Sequence, residues 1–361
     1  MHINKLKINN YRNYEDAEIS FHKNVNVLYG DNAQGKTNIL ESIYMCALSK
    51  SHLGSKDKDI IKFEKEESHI KMYVEKEGLE HYIDIHLKKN KPKGIAVNGI
   101  PIKRSSELMG IINVILFSPE DLNLIKNGPS ERRKFIDMEL CQLSRIYLEN
   151  ISRYNKVLNQ RNHLLKQISY NNSLKDTLSV WDEQLIKYGK EIIKARQEFI
   201  LQINEIAQDI HKRLTGKKEN LQIQYEPNIN IEDFEKAIIN DYEKDIYNQM
   251  THHGPHRDDI KFISNEIDLR TFGSQGQKRT AALSLKLSEI EIVKNKTGEV
   301  PILLLDDVLS ELDRNRQNHL LKGIEGIQTI ITCTGLEEFI NHSIDVDKVY
   351  RIENGKVFNK K

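Results

Sequence analysis

The chain has 361 residues, enough to bury a large core and to divide into two domains. Its 54 basic and 53 acidic residues leave a formal charge of +1, so a nucleic-acid partner would have to meet a local basic patch instead of a global field. Three scattered cysteines without a C-x-x-C argue against a disulfide frame or a zinc ribbon, and no apolar run approaches a membrane span or a secretory h-region, so a soluble, cytoplasmic protein is expected.

The first third reads as strands. "INKLKINNY", "AEISF" and "VNVLYG" precede a glycine-rich stretch, and "SHIKMYVEKEG", "LEHYIDIHLKKN" and "GIAVNGIPI" follow it. Alternating apolar residues and the Asn98-Gly99 pair predict hairpins here. Between the two groups stands "GDNAQGKTN", residues 30 to 38, in which Gly30, Gly35, Lys36 and Thr37 match the phosphate loop G-x-x-x-x-G-K-[ST]. Glycines let backbone N–H groups curl around phosphates with no Cβ in the way, and the following helix aims its positive end at the same anion. Lys36 would neutralise the β- and γ-phosphates and the Thr37 hydroxyl would ligate Mg²⁺, so the loop is expected to hold a nucleoside triphosphate on magnesium.

After "NGPSERRKF" the period changes. Pro129 and Ser130 offer a helix start, and Ile136, Leu140, Leu143, Tyr147, Ile151, Tyr154 and Leu158 recur every three or four residues. Trp181, Leu185, Tyr188, Ile192, Ala195 and Phe199 resume that spacing until Gly216. Two helices of about 35 residues, each about 50 Å long, would form an antiparallel hairpin, with "IEDFEKAIINDYEKDIYNQ" as a third helical segment. Beyond Pro255, "DDIKFISNEIDLRTFGS" reads as strand and turn, 275 to 295 as a helix, "VPILLLDDV" and "QTIITCT" as buried strands, and "KVYRIENGKVFN" as a hairpin. The domains expected are thus 1–125 and 251–361 as two parts of one nucleotide-binding head, split by a helical insert at 126–250.

In "ILLLDD", residues 302 to 307, four aliphatic residues deliver Asp306 and Asp307 to a strand's carboxyl end, where α/β sheets place ligands. Asp306 would share the magnesium with Thr37, and Asp307 would take a proton from the attacking water or orient it; both acids read alone are also compatible with a solvated turn. "FGSQGQKR", residues 272 to 279, sets Ser274 and Gly276 before a helix, a further anion site or an ordinary cap. "GPSERRKF" reads as a helix start with a solvated basic turn. His252, His253 and His256 hint at a metal, but a proline turn without a cysteine partner weighs against it. "KKNKPK" at 88 to 93 reads as a solvated hairpin tip.

The order of these motifs, phosphate loop, S-x-G-Q helix start, aliphatic strand with two acids, then "LSELD" at 309 to 313, resembles ATPases of the ABC superfamily. The resemblance implies an α/β fold, an ABC-type head with an antiparallel β subdomain and an inserted helical lobe. It also implies that two ATP molecules are sandwiched between two copies, with Ser274, Gly276 and Gln277 of one copy completing the site of the other and Asp313 in the crossing loop. Asn38 after Thr37, the long insert, and the opening "LKINNYRNYEDAEISF" resemble the DNA-handling branch that includes structural-maintenance-of-chromosomes heads; in that branch Arg12 would lie near the nucleotide, with Asp31, Asn32, Ala33 and Gln34 completing the loop. Transporter subunits would place the signature nearer the loop, and a chromosome clamp would need far longer coiled coils.

"PEDLNLIKNGPSERRKFID" (119 to 137), "HHGPHRDD" (252 to 259) and "LLLDDVLSELDRNRQNHL" (303 to 320) resemble the RecF family of bacterial DNA replication and repair proteins. That likeness implies a homodimer formed on ATP and Mg²⁺, binding to DNA at gapped single-strand/duplex junctions, and action with RecO and RecR in loading RecA during repair and the SOS response. One departure stands out. ABC ATPases usually carry a γ-phosphate-sensing histidine after the strand equivalent to "QTIITCT", whereas Thr332, Cys333 and Thr334 stand here. With Asp307 one methylene shorter than a glutamate, this departure leads us to expect a slow switch, a weak DNA-stimulated ATPase at most.

Overall fold

The computed structural model describes residues 1–335 and 346–360. By compactness these form two units, Met1–Asp121 with Glu289–Lys361, and Leu122–Ser288.

The first unit is built on two sheets. Strands β1 (His2–Tyr11), β2 (Tyr14–Ser20), β4 (Glu67–Lys76), β5 (Leu79–Lys88), β6 (Gly94–Val97) and β7 (Ile100–Pro101) form an antiparallel sheet in the order β2-β1-β4-β5-β6-β7. In β4, buried Ile70, Met72 and Val74 alternate with polar residues, as a sheet with one wet face requires. Asn98 and Gly99 both take positive φ at the β6–β7 turn, which is the twist a two-residue hairpin needs.

The second sheet comprises β3 (Val25–Tyr29), β8 (Val114–Phe117), β12 (Ile302–Asp306), β13 (Thr329–Cys333), β14 (Lys348–Glu353) and β15 (Lys356–Lys360), ordered β15-β14-β3-β13-β12-β8. All neighbours are parallel except β14 and β15. Every residue of β12 and β13 is buried, which explains their unbroken aliphatic runs. Helix α1 (Lys36–Leu48) follows β3 directly through the phosphate loop. Strand β8, a four-residue edge, is absent from the sequence expectation: so short an apolar run has no legible period.

The second unit holds helices α2 (Pro129–Leu143), α3 (Arg145–Ile168), α4 (Leu178–Leu214), α5 (Ile231–Asn240) and α6 (Tyr242–Asn248), and a sheet of β9 (Leu221–Glu226), β10 (Asp259–Ser264) and β11 (Ile267–Asp268). Pro129 opens α2 at its first turn, as expected. The expected first long helix is two helices: Ser144 takes an extended backbone and its hydroxyl accepts the Tyr147 N–H at 3.2 Å, starting α3 with a fresh cap inside an otherwise continuous stripe. Helix α4, at 37 residues, is about 55 Å long. Contacts between Tyr147 and Arg196, Arg153 and Tyr188, and Arg161 and Asp182 run in opposite chain directions, so α3 and α4 form the antiparallel hairpin. Strand β9 is absent from the sequence expectation, although Leu221, Ile223 and Tyr225 alternate with polar residues; it pairs with β10, so residues 259 to 264 fold with the strand that follows α4. Helix α7 (Gln275–Thr297) carries the division between the two units. Helix α8 (Arg314–Gly323) returns to the first unit, capped by the Asp313 carboxylate accepting the Arg316 N–H at 3.0 Å.

Candidate active site

The phosphate loop leaves β3 at Tyr29 and enters α1 at Lys36. Gly30 and Gly35 take φ of 157° and 114°. The Gly35 angle lies in the left-handed range, and a Cβ there would meet the Asn13 side chain at 2.7 Å, so the glycine is required on two counts. Asp31, Asn32 and Ala33 are exposed at the loop's crest. Two neighbouring turns brace the loop from outside it. From the β1–β2 turn, Asn13 donates to the Gln34 carbonyl at 2.7 Å and accepts from the Asn38 amide at 2.9 Å, while the Tyr14 hydroxyl donates to the Gly35 carbonyl at 3.1 Å. From the β14–β15 turn, Asn354 N–H donates to the Gln34 side chain at 2.6 Å. Burial raises the Tyr14 phenol's pKa and keeps it a donor. These braces escaped the sequence reading because each comes from a turn distant in sequence.

Lys36 is buried, and its ammonium donates to the Gly30 and Asp31 carbonyls at 2.7 and 2.9 Å. The Thr37 hydroxyl donates to Asp306 Oδ1 at 2.9 Å. Parallel pairing of β12 with β13 puts Thr332 opposite Asp306, and the Thr332 hydroxyl donates to the same Oδ1 at 2.8 Å. Burial raises the Asp306 pKa, against the two hydroxyl donors. Asp307 follows in the left-handed region, φ 51°, half-buried. A hydroxyl and a carboxylate converging on one point are the hard oxygen donors that Mg²⁺ prefers, and the Lys36 ammonium beside them supplies the cation that phosphates need; these residues fit a magnesium nucleotide.

Arg12 sits at φ 52° in the β1–β2 turn, its guanidinium gripped by both Glu41 oxygens at 2.8 and 2.6 Å and by the Ser55 hydroxyl at 2.6 Å. Burial would raise the Glu41 pKa, but the hydrogen bonds from Arg12, Ser51 and Tyr11 outweigh it and hold the carboxyl below its usual range. Glu41 is one helical turn beyond Thr37, so this pair fixes the start of α1. His52 has both ring nitrogens buried without a hydrogen-bond partner, and burial lowers its pKa against the fields of Asp306 and Glu41.

Ser274 lies in the second unit, exposed at the start of α7. Its N–H donates to the Gln277 side chain at 3.0 Å and its hydroxyl accepts the Gln277 N–H at 3.2 Å, a reciprocal capping box. Gly276 follows inside the first turn.

With this geometry in hand, the whole chain compares closely with known proteins. The family model described as RecF/RecN/SMC N terminal domain matches residues 2–357. A protein from Lachnoclostridium phytofermentans named DNA replication and repair protein RecF is 59% identical over 99% of both chains, and one of the same name from Lachnospira eligens is 59% identical over the full length of both. The chain belongs to the RecF family. A solved structure of the recombination mediator protein RecF-ATP in the RecFOR pathway superposes with a TM-score of 0.93 at 36% identity, covering 100% of this chain and 98% of that one. A head bound to the C-winged helix domain of ScpA, from an SMC protein, aligns at 16% identity with a TM-score of 0.60. That likeness concerns the fold alone, and the fold is the ABC-type ATPase head.

Other sequence candidates have local roles. Arg132 is buried, not solvated: it grips both Asp259 oxygens at 2.6 and 2.9 Å and donates to the Leu124 and Asn127 carbonyls. Arg133 donates to the Asp258 carbonyl at 2.7 Å. His252 bonds Asp245, His253 bonds Asp241 and His256 bonds Tyr154, and among the described residues the three do not converge on a metal position. At the 88 to 93 tip, Lys88 and Lys89 pair with Glu67 and Glu66, and Lys93 with Asp57. All three cysteines are buried, and no helix among the described residues is long and apolar enough to cross a membrane.

Proposed function

We propose that this chain is an ATP-dependent DNA-binding protein of recombinational repair and replication-fork maintenance, in which nucleotide pairs two copies and slow hydrolysis releases them. The observation that carries the reading is the hydrogen bond from Thr37 to Asp306, which joins the phosphate loop and the strand-end acid across 269 positions of sequence. The RecF–ATP structure supports ATP as the nucleotide, and the RecFOR pathway it belongs to supports RecO and RecR as partners; RecA as the protein loaded is what the family resemblance implies. Residues 30 to 38 would cradle the phosphates, with Lys36 turning from its loop carbonyls to them and Arg12 beside them through the Glu41 clamp. Thr37 and Asp306 would hold magnesium. Magnesium ATP supplies the phosphoryl group for transfer to water. Asp307 would orient that water or take its proton. Ser274, Gly276 and Gln277 of a second copy would close the site.

The energetics are those of linkage. Nucleotide drives pairing only through its higher affinity for the paired state, and DNA that binds that state must tighten nucleotide binding by the same factor. With a net charge of +1 the DNA contacts would be local and directed to phosphates, so affinity should fall steeply with salt and depend little on sequence.

The test is size-exclusion chromatography with and without magnesium ATP, followed by gapped-duplex binding over a salt series, for the parent and Lys36→Met. The parent should pair only with nucleotide. Lys36→Met should lose on the order of 100-fold in ATP affinity, because a buried charge-assisted contact to phosphate is removed. A Lys36→Met chain that pairs and binds DNA as the parent does would end this reading.

A further inference from the structure

Strand β13 lies between the phosphate-loop strand β3 and the acid-bearing strand β12. Its residue Thr332 is opposite Leu28 on one side and Asp306 on the other, and it is entirely buried. A hydroxyl has one proton and two lone pairs. Here the proton goes to Asp306 Oδ1 at 2.8 Å, with the Leu305 carbonyl a poorer acceptor at 3.4 Å, and a lone pair accepts the Asp307 N–H at 2.9 Å. That second bond matters because Asp307 holds φ at 51°, a left-handed conformation that is less favourable for an L residue and that the bond helps to hold. Oδ1 of Asp306 also accepts the Thr37 hydroxyl at 2.9 Å. One buried oxygen therefore fixes the side chain of the first acid and the backbone of the second.

We propose that Thr332 is a positioning residue that couples Asp306 and Asp307, setting both acids for the nucleotide site from the strand after which ABC ATPases usually place a histidine. The inference rests on the nucleotide-site reading above. Thr332 acts through the two acids and not by touching phosphate, which its complete burial requires. The hydroxyl is the functional part. Serine retains it, whereas valine keeps the branched shape that suits a strand and leaves the Asp307 N–H without its acceptor.

The experiment compares the full-length parent, Thr332→Ser and Thr332→Val by thermal unfolding without nucleotide, by affinity for a fluorescent ATP analogue with magnesium or with chelator, and by single-turnover hydrolysis. Thr332→Ser should unfold within a few degrees of the parent and match it within about twofold in affinity and rate. Thr332→Val should bind the analogue in chelator nearly as the parent does, lose most of the gain that magnesium brings, and hydrolyse bound ATP in a single turnover about tenfold more slowly or worse at saturating protein. A folded Thr332→Val with the parent's magnesium gain and turnover overturns the proposal, as does a Thr332→Ser as impaired as the valine variant. If the valine variant does not fold, Thr332→Ala against Thr332→Ser gives the same contrast. A parent that binds no analogue at all would instead sink the nucleotide-site reading, a distinct result.

Discussion

In the first unit, the charged and hydroxyl groups at the start of α1 are held by partners a ligand can replace: Lys36 by carbonyls of its own loop, Thr37 by one oxygen of Asp306. In the second, buried arginines are locked by acceptors from several elements at once. Arg196 donates to Asp137, Asp258, the Pro255 carbonyl and Tyr147; Arg161 donates to Asp182, Asp245 and Thr251; Arg132 grips Asp259. The same chemistry serves opposite ends. A group meant to meet a ligand must give up its resting bonds at small cost, whereas a guanidinium enclosed among carboxylates holds helices and strands in one register and has nothing to exchange.

The sharpest way to break this contrast is Arg196→Met. Asp258 also accepts the Tyr225 hydroxyl and the Asn228 N–H, and it is as buried as Arg196 itself. Removing the guanidinium strands that carboxylate, and the expected loss on urea unfolding is about 3–5 kcal/mol. A loss under about 1 kcal/mol would mean that these networks are as expendable as surface pairs.

A milder probe is His256, whose Nδ1 accepts from the Tyr154 hydroxyl at 2.7 Å and whose Nε2 donates to the Thr251 carbonyl at 3.1 Å; these partners assign the neutral tautomer. Burial lowers its pKa from 6.5 to about 4, with the Thr251 bond opposing and the Arg257 and Arg133 charges adding to the fall. The unfolded chain thus binds a proton between these values that the folded chain refuses. Stability from this group is complete above about pH 6.5 and is lost as pH falls towards 4, by about 3 kcal/mol. Denaturant titrations from pH 7 to 4 should show the parent losing that much more than His256→Asn. Equal slopes would place the imidazole outside the locked network.

The same contrast explains what the sequence disclosed. The phosphate loop, the Asp306–Asp307 pair, the buried strands and α4 were legible because their signals are local: a fixed spacing, an aliphatic run, a 3.6-residue period. The break at Ser144 was hidden because the apolar stripe continues through it and only the serine's cap marks it. Strand β8 was too short to show a period, whereas β9 does alternate, Leu221, Ile223 and Tyr225 against Gln222, Gln224 and Glu226, and was passed over between two helical segments. Arg132 passed for a solvated turn because its acid stands 127 residues away, and Thr332 drew notice only as a missing histidine because its partners lie 26 and 25 residues off on the neighbouring strand.

Ser274 has the smallest expected effect on folding. It belongs to the same compact unit as the arginines, yet its bonds are of the other kind, exposed and confined to its own helix turn. If the contrast follows bonding and not location, Ser274→Ala should cost only the cap, about 1 kcal/mol on urea unfolding. It should nevertheless abolish ATP-dependent pairing and turnover, because the serine's working partner would be nucleotide on another copy. Mixing the alanine variant with Lys36→Met then gives a decisive readout: a hybrid pair holds one site with both its loop and its serine intact, and part of the turnover should return. A hybrid confirmed by mass to have formed, yet without turnover, would assign Ser274 to the helix cap alone.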